Sequence, residues 1–179
     1  MMRYSLLLRG VNVGGNHKVP MADLRAYLSQ IGLVDVTSYI NSGNLFFSSD
    51  LALAQLRQLI WRCLKKYYPF ITAFALISRD AYHRETENLP KWWWEDLARK
   101  DVLFYTDIHQ KEEIEAVISQ LTLRDELVYF GETAIFWGKC QEASYLKTAY
   151  HKELAKQPFY RSLTIRNHKT FAKLNDFLT

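Results

Sequence analysis

Cysteine is nearly absent: Cys63 and Cys140 are the only two in 179 residues. Two thiols cannot make a disulfide framework, and their scarcity fits a reducing, cytoplasmic compartment. Long apolar runs are missing as well. None approaches the roughly 18 residues needed to cross a bilayer. The run at residues 5–8 is ended by Arg9, which excludes a secretory signal. Proline and glycine are few, with four and seven residues, so the chain is no low-complexity or collagen-like polymer. What is present is a large apolar share, 49% hydrophobic and 15% aromatic residues. That is enough to bury a core and to exclude disorder. The length suits one domain of ordinary size or two small ones.

Charge is unevenly spread. Residues 1–80 contain no glutamate and carry a net charge of +5, residues 81–138 carry −6, and residues 139–179 carry +5. A basic coat for nucleic acid would be more uniform, so the pattern argues against a nucleic-acid partner. It directs attention instead to two basic segments.

The apolar periodicity predicts strands at residues 4–9, 36–40, 45–48 and 71–77. A helix opened by Pro20 carries Met21, Leu24, Leu28 and Ile31 on one face, with Gly32 placed to stop it. Ser49 or Asp50 is placed to cap a second helix with the stripe Leu56, Leu59, Ile60, Cys63, Leu64 and Tyr67. The order is βαββαβ. The second half repeats it, with strands at 102–106, 127–130, 134–137 and 163–166. Its helix stripes are Ile114–Val117–Ile118–Leu121 and Leu146–Ala149–Tyr150–Leu154. A terminal helix follows, with Asn167 as its cap. Between the halves lies a linker, residues 81–100, helical at first and then bearing Trp92, Trp93 and Trp94. The expected fold is α+β: two tandem ferredoxin-like plaits, residues 1–80 and 101–179, with antiparallel sheets and helices on one face. Strands 4–8 and 71–77 are apolar on both alternating faces, so each sheet should be covered on both sides.

In such a plait the loop after the first strand and the hairpin between the second and third strands lie at the same end. This brings Arg9, Asn12, Gly14, Gly15 and Lys18 beside Ser42 and Asn44, with Lys65 and Lys66 nearby. A helix amino terminus flanked by glycines and basic groups suits an anion. In the second plait Lys139, Lys147, Arg166 and Asn167 gather at the opposite end as a second candidate anion site. The first loop is neither a Walker A motif nor a dinucleotide fingerprint. A tight strand-to-helix connection needing positive φ is the alternative account of its glycines, and Arg9 at the strand end with Lys18 at the helix start tips the reading toward an anion.

Other chemistry finds little support. The five histidines have no metal-ligand spacing with either cysteine. Cys63 lies on an apolar stripe, while Cys140 beside Lys139 and a helix start is a candidate for a lowered pKa. No nucleophile or acid–base set is recognisable, so the catalytic residues are unknown. Two functional readings stay open. One is a module binding a small phosphorylated or otherwise anionic ligand at the first loop. The other is an interaction or oligomeric protein, such as a homodimer, whose loop is purely structural.

Three blocks carry a family resemblance. They are Tyr4-x-x-Leu7-Leu8-Arg9-Gly10-Val11-Asn12-Val13-Gly14-Gly15, Lys18-Val19-x-Met21-x-x-Leu24, and Tyr39-Ile40-x-Ser42-Gly43-Asn44. The carboxy-terminal Thr164-x-Arg166-Asn167-x-x-Thr170-x-x-Lys173-Leu174 adds a fourth. Together they closely resemble a bacterial family catalogued as domain of unknown function 1697. The resemblance implies tandem α/β plaits and a bacterial cytosolic protein, and it implies no cofactor and no established activity. His168 and Tyr145 depart from the family pattern, which usually has Trp and often has Lys at these positions.

Overall fold

The computed structural model describes residues 1–179. The chain divides into two compact units, one formed by Met1–Asp80 with Lys173–Thr179 and the other by Ala81–Ala172.

In the first unit β1 (Met2–Leu8) is followed by α1 (Met21–Gln30), β2 (Val34–Tyr39), β3 (Asn44–Ser49), α2 (Leu53–Tyr67) and β4 (Phe74–Ser78). The sheet order is β2-β3-β1-β4, and every neighbouring pair is antiparallel. Leu6 lies across from Leu45 and Leu76. Strand alternation therefore puts Tyr4, Leu6 and Leu8 on one face. They pack there with Leu24 and Leu28 of α1 and with Leu56, Ile60 and Leu64 of α2. Burying each such side chain contributes about 1.5–3 kcal/mol. The other face is covered too. Leu7 and Phe46 are fully buried, and Phe177 stacks on Phe46 with ring centroids 4.4 Å apart. Helices thus lie on more than one face of this sheet. Arg3 fastens the same region, donating from Nε to the Phe177 carbonyl at 2.9 Å and from Nη1 to the Asp35 carbonyl at 2.8 Å. Asp35 sits in the irregularity where β2 slips against β3.

The second unit takes in most of α3 (Arg79–Glu87), then β5 (Arg99–Tyr105), α4 (Lys111–Ser119), β6 (Glu126–Phe130), β7 (Ala134–Lys139), the single turn α5 (Ala149–Lys152) and β8 (Leu163–Asn167). Its sheet order is β6-β7-β5-β8, again antiparallel throughout. The last helix, α6 (His168–Leu178), begins in this unit and ends in the first. Leu103, Ile135 and Trp137 face Ile114 and Ile118 of α4 and Ala149 and Leu154 of the β7–β8 connection.

Residues 81–100 are no separate linker. Tyr82 is buried and donates to the Phe171 carbonyl at 2.8 Å, and Trp93 lies edge-on to Phe136 and Phe171. The buried Glu85 carboxylate accepts from Glu132 N, Thr133 N and Thr133 Oγ1, so α3 secures the β6–β7 turn. Gly131 is required beside it, because a methyl group there would fall on that carboxylate.

Two expected helix features differ. α2 starts at Leu53, and its cap position, Ala52, has no side-chain bond, so neither Ser49 nor Asp50 caps it. The helix expected along Leu146–Leu154 is a string of short turns, 3-10 at Glu142–Lys147, α at Ala149–Lys152 and 3-10 at Leu154–Lys156. Thr148 interrupts it in extended conformation and accepts from His151 N. Leu146 consequently faces solvent, 63% exposed.

Candidate functional site

The glycine-rich loop begins where β1 ends. Leu8 N donates to the Gly43 carbonyl at 2.9 Å, and the Asn12 amide donates to the Asn41 carbonyl at 2.7 Å. Loop and hairpin are therefore neighbours. Residues 12–17 form a miniature hairpin: Asn12 N bonds the His17 carbonyl at 3.0 Å and Asn16 N bonds the Val13 carbonyl at 2.9 Å. Gly14 and Gly15 at its tip have φ of 56° and 78°. A turn with positive φ at both central positions is the primed type that suits a hairpin, and it favours glycine. The ring of His17 stacks on Phe70 at 4.6 Å, which anchors the hairpin from the side.

Asn12 acts as a brace. Its Oδ1 accepts from Val19 N at 2.7 Å, and its Nδ2 also donates to the Val19 carbonyl at 3.0 Å. These bonds fix the approach to α1, which has Pro20 at its cap position. Asn44 is fully buried and donates to the Tyr39 carbonyl and to Ser42 Oγ, closing the β2–β3 turn. Asn12, Ser42 and Asn44 thus spend their polar groups on the fold. Arg9 is half-buried, with its N–H on the Ala73 carbonyl.

Gly14 and Gly15 are different: they are exposed and their N–H groups make no hydrogen bond within the protein. The exposed Lys18 makes no ion pair. Asn12, Gly15, Lys18, Val19, Pro20 and Asn41 border a depression of about 370 Å³ at the start of α1. Lys65 and Lys66 do not border it; the Lys66 ammonium lies over the ring of Tyr67 instead. Asp23 in the first turn of α1 already sets a carboxylate near its amino end.

The second group of basic residues is dispersed. Lys139 is completely enclosed, bonded to Asp101 at 2.9 Å and lying 3.3 Å from the centroid of the Tyr150 ring. Burial pulls its pKa below the usual lysine value, although Asp101 opposes the shift. Arg166 stands across from Val102, whereas Lys139 shares the opposite sheet face with Trp137 and Asp101. Burial lowers the Arg166 pKa to about 10, and its guanidinium donates to Thr164 Oγ1 and the Ile165 carbonyl. Asn167 caps α6, accepting from Thr170 N at 2.9 Å. Of the four, Lys147 borders an open depression in the second unit. Cys140 reverses its expected direction, because partial burial and Asp125 raise its pKa. Burial also raises that of Cys63.

Arg124 and Lys152 escaped the sequence reading, yet they border the same pocket as Lys147. The signal was available. In a βαββαβ unit the loop entering the second strand lies at the end where the third strand leaves, so Arg124 belongs beside the β7–β8 connection.

The family model described as "Protein of unknown function (DUF1697)" matches residues 1–136, and the chain belongs to this family. Among solved structures the chain is similar to the conserved bacterial protein SP0830 from Streptococcus pneumoniae. The two share 53% identity over 99% of each chain, with a TM-score of 0.96. No curated protein matches the chain. No helix is long and apolar enough to cross a membrane.

Proposed function

We propose that the protein is a cytosolic module of two tandem ferredoxin-like plaits that binds a small phosphorylated or otherwise anionic ligand at the glycine-rich loop. The strand order, β2-β3-β1-β4 and β6-β7-β5-β8 with helices between first and second strands, supports the plait reading. Two free thiols, Cys63 and Cys140, support a reducing compartment.

One observation carries the binding site. Gly15, whose N–H is unbonded, and the unpaired Lys18 border one open depression, and Gly14, with its N–H also unbonded, precedes Gly15 at the tip of the same turn. Backbone donors in a positive-φ turn accept an anion without reorganisation, and Lys18 supplies a mobile point charge. Asn12 holds the hairpin in place rather than contacting the ligand. The test is a thermal-shift panel of nucleotides and sugar phosphates on the native protein and on Lys18→Ala. A ligand at 100 times its Kd adds about 2.7 kcal/mol of stability. Loss of the charge-assisted contact should weaken that ligand by about 1.5–3 kcal/mol. Unchanged affinity in folded Lys18→Ala would mean that the turn serves only to connect β1 to α1.

A further inference from the structure

A depression of about 420 Å³ in the second unit is bordered by Arg124, Lys147 and Lys152, with Glu153 its single carboxylate. The three cations come from three segments: the α4–β6 loop, the 3-10 turn Glu142–Lys147 and α5. None of them forms an ion pair in the protein. Lys147 and Lys152 belong to the basic segment 139–179, whereas Arg124 is drawn to them from residues 81–138, which carry a net charge of −6. Like charges gathered in a concavity repel and add nothing to folding, while the concavity focuses their field on an incoming anion. Leu121 and Ala149 supply an apolar floor.

The walls are tied together from behind. Glu126 is buried, and its carboxylate accepts from Ala149 N at 2.7 Å, Tyr150 N at 3.1 Å and Trp137 Nε1 at 2.6 Å. A longer contact from Arg124 N, at 3.4 Å, joins the loop to the same group. One carboxylate thus positions the stretches that carry Arg124, Lys147 and Lys152. It also occupies the Ala149 and Tyr150 N–H groups at the start of α5, while Thr148 Oγ1 takes that of His151, which leaves recognition to the three side chains. We infer that this pocket is a second ligand site, separate from the glycine-rich loop, for a small organic molecule bearing at least two negative charges, such as a diphosphate ester. Two or three cations around a cavity of this size match a pyrophosphate group, and the apolar floor suits an organic body.

The experiment is a backbone amide NMR titration of the whole protein with inorganic pyrophosphate and with ADP, at low and at physiological salt. The expected result is saturable shifts confined to residues 120–126 and 147–153. Binding should weaken at least about tenfold in Arg124→Ala and in Lys147→Ala. Lys156→Ala, an exposed cation outside the pocket, should leave it unchanged. All three positions are exposed, and amide spectra report whether each variant is folded. Shifts confined to Gly14, Gly15 and Lys18 would overturn this inference while supporting the first site. No saturable shift at 120–126 and 147–153 would overturn it, as would equal weakening by Lys156→Ala. An oligonucleotide that shifts amides well beyond the pocket and displaces ADP would overturn the assignment to a small ligand.

Discussion

The two units share an element order and differ in how the third strand is joined to the fourth. In the first, α2 makes the connection with 15 continuous residues and a buried stripe of Leu56, Ile60, Cys63 and Leu64. In the second, the connection is broken into short turns, and buried polar groups hold it. Glu126 ties α5 to Trp137, Thr148 caps α5, and Lys139 lies between Asp101 and Tyr150. Apolar burial is non-directional and tolerates small shifts, whereas a buried carboxylate must keep every partner or bear its desolvation cost. The second connection therefore gains a defined pocket at the expense of tolerance to substitution.

Replacing Glu126 by Leu should test this contrast most severely. It orphans the Trp137 Nε1–H and the Ala149 N–H, at about 1–3 kcal/mol for each buried donor. Urea unfolding should show the loss, and amide exchange should accelerate in residues 149–162 while α2 keeps its protection. Leu56→Ala is the matching change in the first unit, with an expected cost of about 2–5 kcal/mol from the cavity. If Glu126→Leu proves nearly neutral, packing holds both connections and the contrast fails.

A smaller effect is expected at the turns. Gly131→Ala would force the Glu85 carboxylate away from Glu132 N and Thr133 N, an overpacking cost of about 1–3 kcal/mol. The β2–β3 turn uses Asn44 and no carboxylate, so Gly131→Ala should leave its exchange unaltered. The smallest effect is that of pH. Burial, Lys100 and Lys169 hold the His168 pKa below the ordinary histidine value near 6.5. The unfolded chain then binds the proton more readily than the folded one. Stability contributed at this position is complete above pH 6.5 and declines as pH falls toward the depressed folded value. A His168→Gln variant should show a shallower decline in midpoint between pH 7 and 5.

The apolar spacing made most elements legible. Leu24 and Leu28, or Leu56, Ile60 and Leu64, are buried where a helical stripe puts them. The juxtaposition of the first loop with the Asn41–Asn44 turn was likewise readable from strand order. The failures have a common cause. Leu146, Ala149, Tyr150 and Leu154 show a helical period, but Thr148 takes an extended conformation because Tyr145 O and His151 N satisfy its hydroxyl. Lys139 looks like a surface cation until Asp101, 38 residues away in sequence, closes over it. Local pattern carries no record of such distant partners. The buried Glu85 and Glu126, both central to the second unit, escaped for that reason.

Arg3 and Phe177 are joined by a hydrogen bond across 174 positions of sequence. On the ribosome this separation becomes a delay. At about 5–20 residues per second, Phe177 is made roughly 9–35 s after Arg3. Phe46 of β3 follows Arg3 and then waits 131 positions, about 7–26 s at the same rate, for Phe177, the ring that stacks on it. The newborn first unit therefore presents an aromatic surface that its own chain covers last. That interval, more than the stability of the finished molecule, is when a chaperone or an unwanted neighbour could engage it.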